Sequence, residues 1–278
     1  ESMSNVPYYL QKHRFGSKLG HAQAEDGIIK DGLWDVYNDF HMGNAAEICA
    51  KECNISREEQ DEFAINSYKR AIKAHEEGYF DDEVIEMKVK DRKGNVTKVK
   101  MDEELKRINY DKIPKLSPVF DKDGTVTPAN ASSINDGAAA VLMMSEEKAE
   151  ELGLTPIARI ASQASAAKQP EWFTTAPAEA MPKALKRADL SKDDVDLFEV
   201  NEAFSVVSLA NNQIMELDPE KVNIHGGAVS IGHPIGCSGA RIMVTLVHAL
   251  KRTGGQWGCA GICNGGGGAS AMVIEMLN

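Results

Sequence analysis

The sequence predicts a layered α/β fold, in which a sheet carries helices on its faces, joined to an α+β segment rich in loops. After residue 135, short apolar runs alternate with amphipathic helical stretches, which is typical of a layered α/β sheet. Before that point, helical stretches and one hairpin are separated by irregular stretches. The chain has 278 residues, of which 42% are hydrophobic, enough for the core of one large or two medium domains.

Capping and stop residues mark the helices before residue 135. Residues 1 to 40 show weak periodicity and predict irregular structure, and a helical stretch follows from Asn44 to about Cys53. Ser56 and Glu59 have the spacing of a capping box in front of a second helix. Gly78 should end that helix.

A basic island interrupts an otherwise acidic chain. The net charge of −11 argues against general nucleic-acid binding. Residues 84–90 and 96–100 flank a Gly94-Asn95 turn and predict a solvent-facing hairpin. Between Lys88 and Lys115, however, ten Lys/Arg outnumber five Asp/Glu. Two interpretations stay open: a solvated hairpin, or a site for a small molecule that carries a polyphosphate.

The elements after residue 135 follow from apolar runs and their flanking residues. The predicted strands are 138–144 (AAAVLMM), 157–162, 195–200, 258–263 and 269–277. The predicted helices are the stretch EEKAEELG capped by Ser145, residues 177–188 despite a second proline, Glu202 to about Glu216, and 239–254 ending at a glycine.

Composition also predicts the cellular setting. No apolar run approaches the roughly 18 residues of a membrane span, so no membrane partner is predicted. The cysteines are odd in number and form no disulfide framework, which indicates a reduced intracellular compartment. Cys49 and Cys53 have zinc-ligand spacing, but no second pair follows. Because the chain opens ESMSNVPYYL without an initiator Met, we expect it to be internal to a longer protein.

Asn201, His233 and Cys263 lie just beyond strand ends or between glycines. Residues beyond strand ends in such a sheet tend to converge on one ligand crevice. Each residue also has a purely structural interpretation: an N-cap for Asn201, a loop histidine bonded to backbone for His233, and a small residue in a tight turn for Cys263.

The three residues together supply an amide donor, an imidazole and a thiol. The glycine-rich turns around them expose backbone N–H groups that can form an oxyanion hole. An imidazole beside a thiol can make or reprotonate a thiolate near neutral pH. The set therefore suits carbon-acid chemistry next to a thioester, which needs a base for an α-proton and donors for the enolate oxygen.

Three segments resemble the C-terminal signature segments of the thiolase family: VNEAF, GGAVSIGHPIGCSGAR and CNGGGGAS. The resemblance is closest to the acetyl-CoA acetyltransferases (acetoacetyl-CoA thiolases). It extends through YNDFHMGNAAEICA, DEFAINSYKRA and DGTVTPANASSINDGAAA, and covers essentially the whole chain. It implies a thiolase-like layered fold with an inserted α+β loop domain, over residues 1–134 (loop domain), 135–155 (end of the N-terminal half) and 156–278 (C-terminal half).

The resemblance also implies roles. His233 would activate a nucleophilic cysteine and donate to the thioester oxygen, and Cys263 would carry the proton of the substrate α-carbon. Asn201 would hold a water at the first oxyanion site, and the Gly265 amide would contribute to the second. The family nucleophile lies upstream of the stretch matching ESMSNVPYY, so we expect this chain alone to be inactive. The alternatives are a longer-chain 3-ketoacyl-CoA thiolase and a non-catalytic CoA-binding or subunit module.

The same resemblance implies CoA as substrate and no redox cofactor, and a subset of the acetoacetyl-CoA thiolases that the chain resembles also binds a potassium ion. Positions matching CoA contacts are Tyr68, Arg107, Ile108, Asn109, Lys112, Ser132, His41, Met42 and Phe204. Positions matching the potassium ligands are Tyr68 and the carbonyls of Pro128, Ala129, Ala131 and Val229. The family assembles as homodimers or homotetramers, in the mitochondrial matrix or the cytoplasm.

Overall fold

The computed structural model describes residues 1–277, and its longest strands form one four-stranded sheet. The strands are β1 (Tyr8–Leu10), β2 (Ala24–Asp26), β3 (Trp34–Asp35), β4 (Phe40–His41), β5 (Met87–Lys90), β6 (Val96–Val99), β7 (Ala158–Ala167), β8 (Leu197–Val200), β9 (Trp257–Asn264) and β10 (Gly268–Met276). The α-helices are α1 (Met42–Glu52), α2 (Arg57–Glu76), α3 (Glu146–Glu151), α4 (Pro177–Arg187), α5 (Ser205–Met215), α6 (Ala228–Ile231) and α7 (Ile235–Thr253). Short 3₁₀ helices cover Met3–Asn5, Glu104–Lys106, Tyr110–Lys115, Pro170–Thr175, Lys192–Asp194 and Pro219–Lys221, and a π-helical turn covers Ile29–Leu33.

The four-stranded sheet has the order β7–β10–β9–β8 and confirms the predicted layered arrangement. Strand β10 is antiparallel to both β7 and β9, whereas β8 runs parallel to β9. Successive residues of β8 point to opposite faces: Phe198 packs with Met181 of α4, and Leu197 packs with Leu246 of α7. The sheet is therefore a layer between α4 and α7.

Helices α1 and α2 confirm the helical stretches predicted before residue 135. The Ser56 hydroxyl accepts from the Glu59 N–H, and the Glu59 carboxylate accepts from the Ser56 N–H at 2.7 Å, which completes the capping box. Helix α2 ends two residues before Gly78, whose φ of 71° is left-handed. Helix α1 packs on α5, and α2 packs on α5 and α6.

Most other predicted elements lie where expected. Strands β5 and β6 pair as the predicted hairpin and are largely exposed. The Ser145 hydroxyl accepts from the Lys148 N–H at the start of α3, and Pro182 lies inside α4. Helix α7 ends at Gly254, which is left-handed. None of the helices within residues 1–277 is both long and apolar enough to cross a bilayer.

The strand predicted at 138–144 is wrong. This segment is irregular, and its apolar side chains are exposed, with Leu142 at 83% and Met143 at 66%. A strand forms only when its backbone N–H and C=O groups find a neighbouring strand, and none among residues 1–277 pairs with it. Apolar side chains alone therefore did not specify the element.

Two helix starts also differ from the prediction. Helix α5 begins at Ser205 instead of Glu202, because the chain before it stays extended: the Ser132 N–H donates to the Ala203 carbonyl at 3.2 Å. Helix α7 begins four residues before Gly239, directly after Pro234, whose φ of −66° already suits a helix start.

Candidate active site

The parallel pairing of β8 with β9 brings the segments of Asn201 and Cys263 together. Val200, the last residue of β8, pairs with Gly261, and the Asn201 N–H donates to the Gly261 carbonyl at 2.9 Å. Cys263 follows two residues later in β9 and is buried. Since parallel strands end at the same edge of a sheet, both residues lie at that edge.

His233 reaches the same place from the loop between α6 and α7. Its ring Nε2 lies 3.3 Å from Asn201 Nδ2, and its ring Nδ1 lies 2.6 Å from Ser238 Oγ. Gly232 has a φ of 92°, and a side chain there would overlap that of Asn135, so this turn requires glycine. The imidazole therefore bonds to side chains and not to the backbone.

Asn201 is not a helix cap. The N-cap of α5 is Phe204, and no side chain caps this helix. The Asn201 amide oxygen is buried and has no hydrogen-bond partner within residues 1–277. Because an unpaired buried acceptor costs about 1–3 kcal/mol, this oxygen is suited to accept a hydrogen bond from a water or a ligand.

Burial sets the protonation states of the two titratable groups. It lowers the pKa of His233 to about 4, and the nearby Arg241 cation acts in the same direction. Burial raises the pKa of the Cys263 thiol to about 12. At neutral pH the site thus holds a neutral imidazole, which can accept a proton, and a neutral thiol, which can donate one.

The turn after Cys263 is shaped for close approach. Gly266 and Gly267 have φ values of 82° and 88°, and a side chain on Gly267 would overlap the Lys168 carbonyl. The Gly265 N–H donates to no acceptor among the described residues. A free amide on a glycine turn is a component of an oxyanion hole. The interpretation of Cys263 as a small residue before a tight turn agrees with this geometry as well.

Three of the predicted CoA positions cluster around Phe120, a residue that sequence analysis did not identify. His41 stacks on Phe120 with ring centroids 4.7 Å apart, and Phe204 meets it edge-on at 6.5 Å. Met42 is buried in the same cluster as Phe204 and Cys263. A Cβ on Gly265 would lie 3.2 Å from the Met42 methyl carbon. His41, Met42 and Phe204 are therefore brought to the Cys263 end of the site.

Most of the other predicted CoA positions lie in the basic island: Arg107, Ile108 and Asn109 connect its two short 3₁₀ helices, and Lys112 lies on the second of them. Tyr68 is buried and packs in one cluster with the half-buried Ile108. The Ser132 hydroxyl donates to the Ala203 carbonyl at 2.7 Å. The exposed ones are Arg107, Asn109 and Lys112. The exposed guanidinium of Arg107 forms a salt bridge with Glu103 at 2.8 Å, so it is already shared with a carboxylate.

A buried carboxyl next to Asn201 was also missed. Glu202 accepts from the Ser67 hydroxyl at 2.7 Å, from the Asn223 amide at 2.9 Å and from the Val229 N–H at 3.1 Å. Burial raises its pKa, and these hydrogen bonds oppose the rise. The network ties β8 to α2 and α6. Its only sequence signal is an acidic residue directly after a buried strand.

Comparisons with known proteins identify the family. Residues 1–147 match the description "Thiolase, N-terminal domain", and residues 154–276 match "Thiolase, C-terminal domain". The chain belongs to the thiolase family.

Individual relatives agree with this assignment. A probable acetyl-CoA acetyltransferase of Dictyostelium discoideum is 53% identical over the whole chain, which covers 67% of that relative. A mitochondrial acetyl-CoA acetyltransferase of Bos taurus is 56% identical, with 65% of its length covered. Among solved structures, the Bacillus anthracis acetyl-CoA acetyltransferase superposes with a TM-score of 0.95 at 45% identity, over all of this chain and 70% of that one. An Ascaris suum thiolase in complex with coenzyme A has a TM-score of 0.89 at 44% identity, with the same coverage.

Proposed function

We propose that these residues take part in acyl transfer between CoA thioesters, which converts two acetyl-CoA into acetoacetyl-CoA and CoA and runs the reverse thiolysis. One observation carries the proposal: a neutral imidazole, His233, contacts Asn201 at the sheet edge where the neutral thiol of Cys263 lies. The names of the relatives that the chain resembles support the same reaction.

The chemistry divides among four residues. His233 accepts the proton of the attacking thiol, because its pKa keeps it neutral at working pH. Cys263 carries the proton taken from, or returned to, the substrate α-carbon. The Asn201 oxygen holds a water whose proton faces the thioester oxygen, and the Gly265 amide stabilises the second developing oxyanion.

We propose that turnover needs the nucleophilic cysteine of the family, which the resemblance places upstream of the stretch matching ESMSNVPYY. We therefore expect the purified 278-residue polypeptide to show no thiolysis of acetoacetyl-CoA. Measurable turnover would contradict this expectation. In a full-length enzyme that contains this segment, His233→Ala and Cys263→Ser should each lower kcat by about 10²–10⁴-fold. Wild-type activity in both variants would reject the assigned roles, and faster turnover of a longer ketoacyl-CoA would favour the longer-chain type.

The CoA nucleotide, in this proposal, lies on the part of the basic island around Arg107 and Lys112, away from the turn of the hairpin. The exposed cations of Arg107 and Lys112 suit its phosphates, and the clustered His41, Met42 and Phe204 suit the pantetheine end. Arg107→Ala and Lys112→Ala should each weaken CoA binding about 3- to 10-fold, more so at low salt, because exposed charge pairs are modest and screened.

Calorimetry with CoA and with pantetheine, which lacks the nucleotide, separates the two ends of the ligand. Arg92→Ala is the matched control, since it removes an exposed cation from the turn of the hairpin. Equal losses of affinity for pantetheine and CoA in Arg107→Ala would contradict the assignment of phosphate to this surface.

The potassium proposal depends on backbone oxygens. The carbonyls of Pro128, Ala129 and Ala131 accept no hydrogen bond from donors within residues 1–277, so they fit a hard cation that prefers oxygen ligands. Burial raises the pKa of Tyr68 to about 12, which keeps its phenol neutral. If potassium binds, melting temperature should be higher in KCl than in NaCl at equal ionic strength. Tyr68→Phe should reduce that difference, and identical melting in both salts would contradict the site.

Assembly and compartment follow the family in this proposal. We assign a homodimer or homotetramer, which light scattering of the purified enzyme tests by its mass. We assign the mitochondrial matrix, with the cytoplasm as alternative, because relatives such as the bovine protein are named mitochondrial. Cell fractionation with the full-length protein distinguishes the two compartments.

A further inference from the structure

Each ring nitrogen of His233 lies within hydrogen-bonding distance of a different polar side chain. On one side, Asn201 Nδ2 lies 3.3 Å from Nε2. On the other side, Ser238 Oγ lies 2.6 Å from Nδ1. Ser238 is 1% exposed, so no bulk water competes for this second contact.

The Ser238 hydroxyl has a second neighbour that fixes its direction. Its oxygen lies 3.0 Å from the Pro234 carbonyl oxygen, one helical turn earlier at the start of α7. A carbonyl can only accept, so this hydrogen bond uses the hydroxyl proton of Ser238, alongside the Cys237 and Ser238 N–H groups that also donate to the Pro234 carbonyl at 3.0 Å. The Ser238 oxygen is then an acceptor toward Nδ1, and Nδ1 must carry a proton.

The Asn201 contact leads independently to the same tautomer. An amide nitrogen can only donate, so Nε2 must be the acceptor and carries no proton. The opposite tautomer, with the proton on Nε2, would require the Asn201 amide to turn over and Ser238 to move its proton from Pro234 to the ring. With the Asn201 amide and the Ser238 hydroxyl as they stand, the Nδ1–H tautomer satisfies both ring contacts and keeps the hydrogen bond from Ser238 to Pro234, whereas the Nε2–H tautomer would place two N–H groups against each other and lose that bond.

We propose that Ser238 is a positioning residue that holds His233 as the Nδ1–H tautomer, so that Nε2 alone exchanges protons at the site. Its importance for catalysis depends on the proposed function; the tautomer itself does not. When a thiol loses its proton to the ring, that proton goes to Nε2, the Nδ1 proton stays in its bond to Ser238, and the imidazolium carries the positive charge. The Nε2–H then serves as a donor to an oxyanion. One atom thus acts first as base and then as donor, without rotation of the ring.

Nitrogen NMR of the histidine side chains tests this assignment in the 278-residue chain. With ¹⁵N-histidine label at pH 7, and the His233 signals assigned by their loss in His233→Gln, we expect a protonated Nδ1 and an unprotonated Nε2. Ser238→Ala should shift the ratio of tautomers about fivefold to tenfold toward Nε2–H, the effect of one net hydrogen bond. Ser238→Thr, which keeps the hydroxyl, should restore the wild-type ratio.

Ser208→Ala is the matched control, because Ser208 is fully buried and its hydroxyl has no partner within the described residues. It should leave the His233 signals unchanged. An Nε2–H tautomer in the wild-type chain, or an unchanged ratio in a folded Ser238→Ala chain, overturns the proposal. If Ser238→Ala does not fold, the wild-type tautomer and the Ser238→Thr chain decide. An Nδ1–H tautomer combined with full activity of His233→Ala in the full-length enzyme would instead reject the proposed function and leave Ser238 in its role.

Discussion

Lowering the pH from 7 to 5 should destabilise the protein through His233. The ring has a pKa of about 4 when folded, against an ordinary value of 6.5. The folded state therefore keeps its full advantage above pH 6.5 and loses it as the pH falls from 6.5 toward 4, because only the unfolded chain takes up the proton in that window. At pH 5 the gap of about 1.5 units corresponds to about 2 kcal/mol, or about 1–2 kcal/mol once water at the partly exposed ring is included.

Urea denaturation of the wild-type chain and of His233→Gln, each at pH 7 and pH 5, isolates this contribution. Glutamine cannot take up the proton, and subtraction removes the titrations that both chains share, including that of His225, whose pKa burial also lowers to about 4. The wild-type advantage over the variant should shrink by about 1–2 kcal/mol between the two pH values. A change below about 0.5 kcal/mol would refute the assigned cause of the neutral imidazole.

Two further predictions concern the glycines and the thiol. Gly232→Ala should destabilise the fold by about 2 kcal/mol or more, because its φ is 92° and the methyl group would overlap Asn135. Gly239→Ala should instead be neutral or stabilise the fold by up to about 1 kcal/mol, because a methyl group at this position in α7 meets no atom within 4 Å. Thermal melts of the two variants compare them directly, and equal melting temperatures would contradict the strain argument. Since burial raises the pKa of Cys263 from 9.0 to about 12, its thiolate at pH 8 should be about a thousandfold scarcer than that of an ordinary cysteine. Iodoacetamide labelling followed by mass spectrometry should find Cys263 protected in the folded chain and reactive in urea; equal labelling in both would contradict this.

Local signals predicted much of the fold. The capping box at Ser56 and the left-handed Gly254 depend on neighbours a few residues away, so the sequence alone locates them. The exposed segment 138–144 shows the limit, since a strand depends on a distant backbone that composition does not reveal. The late start of α5 has the same kind of cause: its preceding residues stay extended through bonds to residues 130–132.

The candidate site divides in a similar way. Asn201 and His233 could be singled out because they stand beside strand ends or between glycines, and the structure brings their side chains into contact. Glu202 and Ser238 could not, because their importance depends on partners far along the chain or on the direction of a hydroxyl within a helix. Whether Asn201 capped a helix was open from sequence, and only the position of Phe204 as the N-cap decided it.

The crowding around Glu202 limits how this protein can be recombined. A methyl group on Gly227 would overlap the Glu202 carboxyl, and one on Gly226 would approach the Ser67 carbonyl oxygen to 2.5 Å and the Ala71 methyl carbon to 2.8 Å. Helix α2 and the turn before α6 are therefore packed so closely that neither surface has room for an added methyl group at Gly226. A chimera that exchanges residues 1–134 for those of a distant homologue would have to bring a small residue at the position of Ala71, and tolerated sequence changes at Ala71 and Gly226 should occur together.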